Sequence, residues 1–60
     1  MILRVSETAN RLFKQHGETA PYVAAERATE MKKAGDRESE VHWTNVVIET
    51  KLLLARDAGW

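Results

Sequence analysis

Two histidines, His16 and His42, are the chain's only imidazoles, and it has no cysteine. Imidazoles joined by carboxylates can hold a divalent metal, usually with three or four ligands in all. Neither a His-x-x-x-His nor a Glu-x-x-His string occurs, so the familiar helical ligand pairs are missing. His16 reads as a cation near the C-terminal carbonyls of a first helix, where positive charge is favoured. His42 follows Val41 and is expected to point sideways from a later helix. No metal and no cofactor are expected.

Nucleophilic catalysis needs a hydroxyl or amine beside a base and a third, orienting group. Ser6 and Ser39 instead read as capping or first-turn residues. The carboxylate pairs Glu26 with Glu30 and Glu38 with Glu40 fall on outward faces, which solvation explains. Three isolated glycines form no phosphate loop. Neither an enzyme nor a small-molecule binder is expected. Arg27 is the one charged residue that breaks an apolar face, flanked by Ala24, Ala28 and Met31. It reads either as half of an ion pair with Glu30, Asp36 or Glu40, its stem lying along the core, or as an anchor for an acidic ligand or partner.

Nine basic and nine acidic residues leave no net charge. Their signs are interspersed, as on an ordinary solvated surface rather than a polyanion footprint. A helix-turn-helix DNA-binding regulator is the alternative function, since a short Gly-containing turn joins two helical segments. Yet the segment that would enter the groove reads Asp36-Arg37-Glu38-Ser39-Glu40, three acids and one base, and this weighs against nucleic acid. The basic set Arg4, Arg11 and Lys14 is too small to compensate. No apolar run reaches membrane-spanning length. The start, Met1-Ile2-Leu3-Arg4, lacks a signal peptide's long apolar stretch, and a cytoplasmic bacterial or phage protein is expected.

These side chains must be positioned by helices. Sixty residues allow one domain, 1–60, all-α, with helices over about 4–16, 19–34 and 37–57. Gly17 and Gly35 punctuate it, and Gly59 lies at the tail. The first helix presents Val5, Ala9, Leu12, Phe13 and His16 on one face, with Ile2 if it starts early, and Ser6 is a candidate N-cap. The second opens at Thr19-Ala20-Pro21, with Thr19 as candidate cap. It offers a mostly alanine face of Ala20, Val23, Ala24, Ala28, Met31 and Ala34. The third opens on Asp36 as N-cap, with Glu38 and Glu40 suiting the positive end of its dipole. Eight of the chain's 17 large apolar residues other than Met1 lie between Val41 and Leu54. The long C-terminal helix is therefore expected to be the spine of a small three-helix fold. Its core is expected to contain Val5, Leu12, Phe13, Ala24, Met31, Trp43, Val47 and Leu54.

That last helix is apolar on two opposite sides. At about 100° per residue, Trp43, Val46, Val47, Leu53 and Leu54 share one side, with Thr50 between them. Val41, Ile48, Leu52 and Ala55 form a second line opposite. One stripe suffices to cover a small core. The second is expected to be an interface, either for a homodimer or for another protein. The competing expectation is a monomer whose first two helices flank the third and bury both stripes.

The string His16-Gly17-x-x-Ala20, then Ala24-x-x-Arg27-Ala28-x-Glu30-Met31, Ala34-Gly35-Asp36 and Trp43 resembles a group of small uncharacterised helical proteins of alphaproteobacterial genomes. The likeness spans roughly residues 9 to 54. It implies a bacterial source and transfers no activity. Ile48 and Leu52 are not part of it, so the association expectation rests on the stripe alone.

Overall fold

A computed structural model of the chain describes residues 4–57. Ile2 and Gly59 lie outside the described residues. The described residues are helical apart from Arg4 and the turn at 34–36, with no strand among them. Helix α1 runs Val5–His16, a 3-10 turn covers Gly17–Thr19, α2 runs Ala20–Lys33 and α3 runs Arg37–Asp57. The 3-10 turn carries α1 into α2 without a non-helical residue, so the chain forms two helical runs, 5–33 and 37–57. That corrects the expectation of three separate helices. Gly17 bends the first run rather than ending it. At φ 57° its N–H still reaches the Phe13 carbonyl.

Local chemistry explains the ends, and it corrects two caps. Arg4, not Ser6, is the N-cap residue of α1, and it makes no side-chain cap bond. Ser6 lies inside the helix, where Asn10 donates to its carbonyl at 2.8 Å. Thr19 precedes α2 with helical dihedrals, so its hydroxyl faces back and donates to the His16 carbonyl at 2.9 Å instead of capping. Pro21 sits in the first turn of α2, where a missing N–H costs nothing.

The link between the runs is a Schellman motif. Asp36 N–H donates to Met31 O at 2.9 Å and Gly35 N–H to Lys32 O at 3.1 Å. Gly35 adopts φ 76°, a left-handed conformation that a Cβ would strain. Asp36 then starts the next helix, accepting the Ser39 N–H on Oδ1 at 3.1 Å. One residue thus closes α2 and caps α3, which fixes the angle between them over three linking positions.

Helix α3 packs against both α2 and α1, which touch each other least. The three meet at Ala9, Ala24 and Val46, all fully buried, with Val5, Leu12, Trp43, Val47 and Leu53 packed around them. Small residues occupy the crossing point because they let backbones approach closely. The large ones form a half-buried ring. The expected core list is corrected accordingly: of its members only Ala24 is fully buried, while Val5, Leu12, Phe13, Met31, Trp43, Val47 and Leu54 are half-buried. A two-run assembly this small has room for only a thin sealed centre. Ala34, expected on the inner face of α2, is exposed because α2 ends at Lys33.

Candidate functional site

The inner side of α3 is centred on His42, Val46 and Thr50, one turn apart and all buried. Thr50 is polar yet fully buried because its hydroxyl lies 2.9 Å from both the Val46 and Val47 carbonyls of its own helix. His42 does not point sideways: it is buried, and its ring stands edge-on to Trp43, centroids 5.4 Å apart at 75°. The apolar pattern misplaces it because an imidazole does not register as an apolar side chain. Its body packs as a hydrophobe would. His16, assigned to the apolar face of α1, is exposed. Among the described residues no group of three His, Asp or Glu side chains converges as a metal site.

The outer side of α3 carries the second stripe. Val41 is 52% exposed, Ile48 54% and Leu52 54%, and Ala55 is exposed with them. Their mean direction lies roughly 150° around the helix from Val46, and the line runs about 21 Å along the axis at 1.5 Å per residue. Helices α1 and α2 both lie on the other side, so the expected sandwich that buries both stripes does not form. Thr44, Asn45 and Lys51 flank the stripe, and all are exposed. Its N-terminal end opens into a shallow groove lined by Lys32, Gly35, Arg37, Glu40, Val41, Thr44 and Asn45.

Arg27 lies on the surface of α2 rather than along the core. Its guanidinium stands 3.5 Å from the Glu30 carboxylate, both side chains being 58% exposed. The face that Arg27 interrupts is narrower than the sequence pattern suggests: only Ala20, Pro21 and Ala24 of α2 are buried, and Ala28 and Met31 are half-buried. Such a solvated pair contributes little to stability. Asp36 has its carboxyl held below the ordinary range. The Ser39 backbone N–H stabilises the ionised form first, and the Ser39 side chain adds to it. The sequence reading passes over Tyr22, which is 74% exposed beside a groove between α2 and α3 lined by Pro21, Ala25, Val47, Lys51 and Leu54. A helical wheel centred on Ala24 would place it outward.

No described helix is long and apolar enough to cross a membrane. The chain matches no family model, no curated protein and no solved structure.

Proposed function

We propose that the protein is a small interaction module that self-associates as a homodimer through Val41, Ile48, Leu52 and Ala55. The observation that carries this reading is the exposure of three large aliphatic side chains in one line, opposite the packed side of α3. Isolated exposed apolar residues are ordinary, but an aligned apolar strip usually marks an interface. A two-fold axis lets one stripe meet its own copy, the commonest solution in oligomers.

Burial estimates set the strength. Fully burying such a side chain is worth about 1.5–3 kcal/mol, and about half of each is in water, so each contributes roughly 1 kcal/mol. Six of them across the axis give about 6 kcal/mol, against an association cost of about 4–15 kcal/mol. The polar flanks must add to this, and the dimer is weak.

In this reading α3 is the spine of a small all-helical domain that works in a bacterial cytoplasm without catalysis or cofactor. The resemblance of residues 9–54 supports the bacterial source. The acids at the start of α3, with Asp36 held ionised, favour a protein partner over nucleic acid. Sedimentation equilibrium from about 10 μM to 1 mM tests the reading, a range spanning the weak affinities this balance allows. The expected mass rises from one chain toward two. A strict monomer at the highest concentration overturns self-association, and salt-sensitive binding to random duplex DNA would redirect the assignment to a regulator.

A further inference from the structure

Of the charged side chains that flank the stripe on α3, four distinguish the two ways of pairing it. Acidic Glu38 and Glu40 lie at its N-terminal end, basic Lys51 and Arg56 at its C-terminal end. At about 100° per residue, Glu38 and Arg56 fall on one shoulder, both roughly 70° from the stripe's midline. Glu40 and Lys51 fall on the other shoulder, roughly 70–90° from it.

We propose that two copies pair their α3 helices antiparallel, with the two-fold axis level with residue 47. This inference rests on the self-association reading above. In an antiparallel pair each shoulder meets the same shoulder of the other copy. With the axis at 47, Arg56 stands level with position 38 of the second copy, so it meets Glu38 there. Lys51 stands about 4.5 Å along the axis from Glu40 of the second copy, within reach of its side chain. Leu52 lies about 1.5 Å in axial height from Val41 of the second copy, and the two Ile48 side chains meet near the axis. Arg37 falls at the end of the overlap, level with position 57. These four shoulder contacts are attractive and outnumber one like-charged pair, the two Glu49 side chains, which share the Glu38 shoulder about 6 Å apart along the axis. Each helix also lays its acidic, N-terminal end beside the basic, C-terminal end of the other.

A parallel pair reverses this. Opposite shoulders then meet, and a residue faces the position five further along the other copy, as g meets e in a parallel coiled coil. Lys51 would stand against Arg56 of the second copy, twice over. Glu38 would look past the start of α3. The parallel arrangement therefore gains no ion pair and adds two repulsions.

The absence of cysteine makes the test clean, because single-cysteine variants report one position each. Ile48→Cys lies near the proposed axis, with its two copies about 3 Å apart along it. Copies of Ala55→Cys lie about 24 Å apart at the same rise per residue. Under mild oxidation at millimolar protein, Ile48→Cys is expected to form a covalent dimer and Ala55→Cys is not. Should Ile48→Cys weaken pairing, Asn45→Cys, about 6 Å from its copy along the axis, serves in its place. In parallel, Arg56→Glu is expected to weaken the dimer about three- to tenfold, and adding Glu38→Lys is expected to restore it. Covalent dimers of Ala55→Cys, or tighter pairing of Arg56→Glu, would overturn the antiparallel arrangement while leaving self-association in place. A chain that stays monomeric at every concentration would instead overturn the reading on which this rests.

Discussion

Replacing Leu52 with Glu separates an interface from a core position. Leu52 is 54% exposed, and leucine and glutamate have similar helix propensity. In the single chain the change is therefore expected to alter stability by no more than about 0.5 kcal/mol, as at ordinary surface sites. In the dimer the same change acts twice. Each copy loses roughly 1 kcal/mol of apolar burial and must bring a carboxylate toward Val41 of the other copy. The combined loss of about 3 kcal/mol corresponds to about 100-fold in affinity. Sedimentation equilibrium reads the affinity, and thermal unfolding followed by circular dichroism reads the fold. Unmodified protein is expected to melt at a higher temperature as its concentration rises, since association stabilises the folded state by mass action. Leu52→Glu is expected to lose that concentration dependence while matching the unmodified chain at low micromolar concentration. A large drop in melting temperature in dilute solution would refute the reasoning, because it would place Leu52 in the intramolecular core.

Trp43→Ala should destabilise by about 2–3 kcal/mol, less than for a sealed aromatic, because Trp43 is half-buried against Ala9, Ala24 and Val46; urea titration measures this. Gly35→Ala places a Cβ at φ 76° with open space around it, so conformational strain alone should cost about 1 kcal/mol and lower the melting temperature by about 4–8 °C. Asp36→Ala should lower the melting temperature at pH 7. Because the folded pKa of Asp36 lies below its ordinary value, its contribution is present above pH 4 and is lost as pH falls through the folded value. Melting curves of the two proteins should converge in strong acid, and Asp36→Asn, which keeps a capping oxygen, should fall between them at neutral pH.

The helical content and the turn at residue 35 were legible because local chemistry alone decides them. Gly35 and Asp36 sit where a left-handed residue and a capping carboxylate are both required, and nothing distant competes. The break at Gly17 was legible as a glycine but not as a bend. Whether a glycine ends a helix or only redirects it depends on the next three residues, and Thr19 turned its hydroxyl backward to His16 instead of forward. Ala24 was expected at the centre of the core, but Ala9 and Val46 beside it escaped for a different reason. Apolar patterning weights residues by size, so Trp43, Phe13 and Leu54 drew the expectation. The crossing of three helices selects for closeness of approach, so Ala9, Ala24 and Val46 took the centre and the bulky residues moved to its rim. Arg27 and His42 exchanged roles by the same logic. A charged side chain at the edge of a narrow alanine face swings out to Glu30, while an imidazole one turn before Val46 is carried inward by the helix.

The second stripe was legible because it depends on one helix only. Val41, Ile48, Leu52 and Ala55 are aligned by the helical period whatever α1 and α2 do. What the sequence left open was the location of the other two helices. Both lie on the Val46 side, since Ala9 and Ala24 converge there and leave no helix for the opposite face. With those helices already engaged, burying Ile48 and Leu52 requires a second polypeptide. The charges at the two ends of the stripe are the reason another copy of this chain is proposed as that partner.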